Sequence, residues 1–213
     1  RGDGEFEMDM NISEASFASF IVEDVRYPWC SISGAGDVNG DGYDDFLIGA
    51  HLNDEGGEDA GQTYLILGNS TGWSMDINLS NADASFIGES AGDRSGYSVS
   101  GAGDVNGDGY DDFLIGAHAR GEHGLGETYL ILGKPSGWKI DTDLSKSDAS
   151  FIGEDTGHIQ LSGSCVAGTG DVNGDGYDDI LIGAPYNSEG AGHATGQSYL
   201  ILGKASGWSM DTG

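Results

Sequence analysis

Basic residues are scarce in this chain. Eight Lys and Arg stand against 36 Asp and Glu, leaving a formal net charge of −28 at pH 7 over 213 residues. Nucleic acid is excluded as a partner, because its phosphates require a basic face, and anionic membrane surfaces are excluded on the same ground. Long apolar runs are missing too. None approaches the roughly 18 residues of a helical span, so no direct membrane insertion is expected. Two cysteines are too few for a disulfide framework. No signal peptide is visible and the first residue is Arg1 rather than Met, so the expectation is a removed leader or a longer parent. Acidity of this degree suits divalent cations, a basic partner or a high-salt medium. An acidic chain with 39 glycines invites a reading of disorder. The apolar residues argue against it, because they gather into runs such as "FLIGA" and "YLILG" instead of being diluted.

The nine letters "DVNGDGYDD" begin at Asp37, again at Asp104 and again at Asp171, an interval of 67 residues each time. Four short β-type segments fall in each period, typified by "YSVSG", "DFLIGA", "TYLILG" and "ASFIG", with turn residues between them. The second and third are almost wholly apolar, which implies burial on both faces. A helix is excluded because each run is about six residues long and closes on Gly. Four strands repeated at this period predict an all-β fold, a β-propeller of four-stranded blades with three blades per chain. The blades are expected at about 29–88, 96–153 and 163–203, the last completed by a strand at 17–22. Cys30 lines up with Tyr97 and Ser164, and Cys165 with Ser98. The expectation for both is a buried free thiol.

Each nine-letter loop places Asp at positions 1, 5 and 9, Asn at 3 and Gly at 6. A hard cation such as Ca²⁺ takes six to eight oxygens in a forgiving geometry, and alternate residues of a curled loop can supply them. The expected ligands are Asp37, Asn39, Asp41, the carbonyl of Tyr43, and Asp45. The second set is Asp104, Asn106, Asp108, Tyr110 and Asp112, and the third Asp171, Asn173, Asp175, Tyr177 and Asp179, giving three Ca²⁺ sites per chain. Asp44, Asp111 and Asp178 lie between ligands and are expected to point outward. An EF-hand loop needs an acid at position 12 followed by a helix. Ile48, Ile115 and Ile182 occupy that position here, inside strand-like runs. A metal-free Asx-rich turn is the plainer alternative, but converging carboxylates repel unless a cation neutralises them.

The stretches "GDVNGDGYDDFLIGAH" and "GDVNGDGYDDILIGAP" resemble the FG-GAP repeat, the unit of the integrin α-subunit β-propeller and of many microbial surface proteins. His51 and His118 depart from the family's Pro, which Pro185 keeps, and "PWCSI" departs most at the strand start. The resemblance implies seven blades per ring and a calcium-stabilised, non-enzymatic adhesion or recognition module, extracellular or at the cell surface. A carbohydrate-binding propeller is the main rival, and a polysaccharide-processing enzyme on the same scaffold a weaker one. No activated Ser or Cys with a partnered His, and no phosphate-cradling loop before a helix, is present. The histidines lack metal-site spacing. Trp73, Trp138 and Trp208 recur with the period and are read as packing between blades. The tripeptide at Arg1 to Asp3 is read as a terminal tail.

Three blades fall short of the four to eight that close a ring. The expected solution is a head-to-tail homodimer of six blades, in which each strand near Phe17 to Val22 completes its partner's last blade. A cut from a longer ring is the competing account. The loops "HLNDEGGEDAG", "HARGEHGLG" and "PYNSEGAGHATG" differ where the rest repeats. They are the expected docking face for an unknown protein or glycan ligand.

Overall fold

The chain folds as three successive antiparallel sheets, each built from strands adjacent in sequence. The computed structural model describes residues 18–22, 30–121, 124–155, 159–187 and 195–210. In the first blade, β2 (Ser31–Gly36), β3 (Asp45–Ala50), β4 (Gln62–Ile66) and β6 (Ala84–Ile87) pair in that order as a meander. The second blade repeats this with β7 (Ser95–Gly103), β8 (Asp112–Ala117), β9 (Glu127–Ile131) and β11 (Ala149–Ile152). The third holds β12 (Cys165–Gly170), β13 (Asp179–Ala184) and β14 (Gln197–Ile201), and among the described residues no fourth strand pairs with β14.

Short strands stitch neighbouring blades together. In the second blade's last connection, β10 (Thr142–Asp143) runs parallel to β6 of the first. By the same device β5 (Ile77–Asn78) runs parallel to β1 (Phe20–Ile21). β1 thus holds, relative to the first blade, the place that β6 holds relative to the second. Aromatic contacts repeat the equivalence: Phe20 meets Phe46 edge-on at 5.3 Å, as Phe86 meets Phe113 at 5.5 Å. β1 therefore takes the place, relative to the first blade, of a preceding blade's outer strand. Within one chain it does not pair with β14.

Faces of successive blades bury one another, which explains why β4, β8 and β9 are closed off on both sides. Leu47, Leu65 and Phe86 of the first blade pack with Phe113, Ile115 and Tyr129 of the second. Leu114 and Leu130 of the second pack with Val166 and Ile180 of the third. The recurring tryptophans serve this packing: Trp138 lies 6.4 Å from Phe86 and 6.1 Å from Phe113, and Trp208 lies 6.4 Å from Phe151. Innermost strands β2, β7 and β12 approach backbone to backbone. A Cβ at Gly101 would stand 2.8 Å from the Gly34 carbonyl, so only glycine permits the approach.

The ring is open within this chain. Ile32, Val99 and Val166 are equivalent in the three blades, yet Ile32 is 75% exposed while the others are 8% and 7%. At the far end, Val172 is 53% exposed whereas its counterparts Val38 and Val105 are fully buried. The cysteines depart from expectation, for Cys30 and Cys165 are both free and exposed. Cys165 opens β12, and Cys30 immediately precedes β2. The terminal tripeptide at 1–3, Phe17, Trp29, His123, His158 and His193 lie outside the described residues.

Candidate metal centres

Each acidic loop joins the first and second strands of its blade and is curled by its own side chains. Asp37 accepts the Gly40 and Asp41 N–H groups through Oδ1, at 2.7 and 3.0 Å, and the Gly42 N–H through Oδ2 at 2.8 Å. Asn39 accepts from the Asp41 N–H at 2.8 Å, and Asp41 from the Tyr43 N–H at 3.0 Å. The same bonds recur at Asp104, Asn106 and Asp108. They recur again at Asp171, Asn173 and Asp175. The Tyr43, Tyr110 and Tyr177 N–H groups are each anchored by the Asp two positions earlier.

The ninth-position aspartates behave differently. Asp45, Asp112 and Asp179 are buried, and each staples two segments. Asp45 accepts from Val38 N–H at 2.9 Å and Gly68 N–H at 2.7 Å. Asp112 accepts from Val105 and Gly133, and Asp179 from Val172 and Gly203. Burial pushes the Asp45 carboxyl up to about 6 and that of Asp112 up to about 7, with Asp37 and Asp41, or Asp104 and Asp108, adding like-charge repulsion.

Of the fifteen sequence-predicted residues, twelve lie in the three equivalent loops, and Asp45, Asp112 and Asp179 open the strands that follow them. Among the described residues no three carboxylates already stand at metal-ligand spacing, and the loop oxygens are engaged with backbone N–H groups instead. A fully oxygen donor set with three aspartates per loop nevertheless fits Ca²⁺ and not a soft metal. Counter-charge is lacking: the ion pairs among the described residues all belong to Arg120.

Eighth-position aspartates do not point outward in two of the three loops. Asp111 Oδ2 accepts the Asp37 N–H at 2.8 Å, and Asp178 Oδ2 accepts the Asp104 N–H at 3.0 Å, each reaching into the preceding blade. That approach explains Gly36 and Gly103, both at positive φ, where a Cβ would overlap the incoming carboxylate. Backbone bonds reinforce the joint: Asp111 N–H donates to the Asp37 carbonyl and Lys134 N–H to that of Val38. The Tyr110 ring lies over Gly40, as Tyr177 does over Gly107. Asp44 and Tyr43 are exposed, and among the described residues no inner strand of a preceding blade stands against them. Sequence reasoning took each loop as a self-contained site and missed its second role as a joint between blades. The signal was there in the identical eighth letter, since a purely solvated position has no reason to repeat.

At the opposite end, the 118–126 connection is not a free loop. Arg120 hydrogen-bonds through Nε to Glu127 and pairs with Glu89 at 2.9 Å and Asp93 at 3.5 Å. Tyr129 Oη adds a bond to Glu89 at 3.0 Å. The equivalent positions carry neutral residues: Asn53 bonds Tyr64 Oη at 3.1 Å, and Asn187 bonds Tyr199 Oη at 2.7 Å. Burial holds His118 down to about 4, and its ring lies 3.9 Å from that of Tyr97.

Fold and loops together define an array of propeller blades with an acidic, oxygen-rich loop at one end of each. The FG-GAP repeat matches residues 31–66, 95–131 and 166–201, and the chain belongs to this family. It is 34% identical over 159 residues to integrin alpha-PS2 of Drosophila melanogaster, covering 72% of this chain and 11% of that protein. It is 32% identical over 161 residues to integrin alpha pat-2 of Caenorhabditis briggsae, covering 70% and 12%. With integrin alpha-5 of Xenopus laevis identity is 33% over 157 residues, covering 70% and 14%. The matched region is therefore a small part of each relative.

Proposed function

We propose that this chain is a calcium-stabilised, non-enzymatic recognition module of the integrin α type, acting outside the cell or at its surface. The carrying observation is that three identical acidic loops, unpaired with any Lys or Arg among the described residues, lie at the joints between blades. Ca²⁺ at Asp37, Asn39, Asp41, Tyr43 and Asp45, and at the two equivalent sets, supplies the missing charge and rigidifies loop and joint together. Adhesion as the role is supported by the integrin alpha relatives. The tryptophans a lectin would use as stacking platforms are drawn on for packing at Trp138 and Trp208, which disfavours the carbohydrate-binding rival. A partner is placed on the opposite end, on the connections at 51–61, 118–126 and 185–196.

Calorimetry tests the metal role. Three equivalents should bind with Kd on the order of 10⁻⁴ to 10⁻³ M, excess EDTA should lower Tm, and Asp108→Ala should reduce the count to two. Melting that is indifferent to EDTA refutes it. For recognition, the chain is offered to arrayed extracellular-matrix proteins and to arrayed glycans, with and without EDTA. Calcium-dependent capture on proteins is expected, and capture on glycans alone overturns the adhesion reading.

A further inference from the structure

Three Asn-x-Ser/Thr triplets occur in the chain, starting at Asn11, Asn69 and Asn78. This pattern, with any residue but Pro in the middle, is the acceptor for N-linked sugars in secreted proteins, and the folded chain can carry so bulky a group only at its surface. Asn11 lies outside the described residues. Asn78 is poorly placed: it pairs with Ile21 where β5 meets β1, its side chain accepts the Ser80 N–H at 2.8 Å, and Leu79 beside it is 1% exposed. Asn69 differs on each count. It opens the turn after β4, and residues 69–72 are all exposed. That exposure belongs to the turn and not to the edge of the array. The equivalent residues 135–137 and 204–207 are exposed too, in blades that have another before them.

The Asn69 carboxamide is held in one orientation. Its Oδ1 accepts the Thr71 hydroxyl at 2.8 Å and the N–H groups of Thr71 and Gly72 at 3.0 and 2.8 Å. Backbone N–H groups require an oxygen acceptor, so Oδ1 faces the turn and Nδ2 is turned away from it. The amides of Asn39, Asn53, Asn106, Asn173 and Asn187 all donate to a neighbour. Among the described residues nothing accepts from that of Asn69. The repeat marks the residue as a local departure, because "GNSTGW" of the first blade is "GKPSGW" and "GKASGW" in the others. Lys134 and Lys204 lay their ammonium groups over Trp138 and Trp208, 4.5 and 4.8 Å from the ring centres. Asn69 is too short for that contact, and Trp73 is 36% exposed.

We infer, on the extracellular placement proposed above, that Asn69 is an N-glycosylation acceptor. A secretory oligosaccharyltransferase joins Nδ2 to the anomeric carbon of a lipid-linked oligosaccharide. The C–N bond forms and the bond from that carbon to the polyprenyl diphosphate oxygen breaks. The amide gives up one proton, and the diphosphate leaves with the electron pair. The sugar stands at the calcium end, since the adjoining Gly68 donates its N–H to Asp45 at 2.7 Å. The connections proposed to receive a partner lie at the opposite end and stay uncovered.

The full chain and its Asn69→Gln, Thr71→Val and Thr71→Ser variants are expressed behind a cleavable secretion leader in cultured animal cells. Secreted and cell-retained protein are treated with peptide-N-glycosidase and mapped by peptide mass spectrometry. The unaltered chain should migrate above 22.0 kDa, return to that mass on treatment, and show the enzyme's conversion of Asn to Asp at position 69. Thr71→Ser keeps the hydroxyl and should keep the sugar, whereas Asn69→Gln and Thr71→Val should lose it from that position. An unmodified Asn69 in the unaltered chain, or a sugar that persists on Asn69 in Thr71→Val, overturns the assignment. The leader supplies the compartment, so either failure counts against Asn69 alone, and the extracellular placement stands or falls on the matrix-capture assay.

Discussion

Replacing Arg120 with Asn strands two buried carboxylates. Glu127 is 1% exposed and Asp93 5%, and Arg120 is the cation that faces both. Breaking a buried pair by removing one partner costs about 3–5 kcal/mol. In a domain of this size each kcal/mol moves Tm by about 2–4 °C, so the loss is about 6–20 °C. The repeat itself supplies the rescue. Equivalent to Arg120, Glu127 and Asp93 in the third blade are Asn187, Gln197 and Gln160, an uncharged set, and the first blade carries Asn53 with Gln62. The triple variant Arg120→Asn, Glu127→Gln, Asp93→Gln transplants that set and should recover most of the loss, because both buried carboxylates are gone and the one charge left without its cation, Glu89, is partly exposed. Denaturant unfolding of the single, paired and triple variants forms the coupling cycle. A single variant costing under about 1 kcal/mol, against the range for a broken buried pair, or a triple variant no better than the single, would refute the reasoning.

Asp111→Ala and Asp178→Ala should each cost about 1–3 kcal/mol by orphaning a part-buried backbone N–H across a blade joint; urea denaturation checks this, and near-neutral values would return those residues to the solvent. Calcium affinity should fall between pH 7.5 and 5.5, read by calorimetry, because Asp45 and Asp112 are raised by burial to about 6 and about 7 and must shed protons to ligate. The linkage has the opposite sign for the metal-free fold: these two groups hold protons more tightly folded than unfolded. Their contribution to its stability therefore grows as pH falls through 7 toward the unfolded value near 4. An affinity unchanged over that range refutes the ligand assignment.

The strands were legible in the sequence because burial on both faces writes a continuous apolar run, as in "FLIGA" of β3 and β8, and glycine closes each one. The acidic loops were legible because Asp, Asn and Gly at fixed spacing specify local geometry: every bond that curls Asp37 to Tyr43 spans at most five residues. Relations between blades were not. Asp111 and the Asp37 N–H are 74 residues apart, and nothing in the intervening letters says which blade an eighth-position carboxylate will face. Arg120 looked like one charge in a variable loop, although its partners Glu89 and Asp93 lie on the preceding connection. The two cysteines read as buried free thiols, because they are too few for a disulfide framework and fall at non-equivalent positions of the repeat. Both are exposed. The sequence by itself determined the blade, its period and the chemistry of its loops, since those are set by neighbours in the chain. Only the tertiary structure decided which faces are covered and which stand open, because a sheet's burial is fixed by what stacks against it.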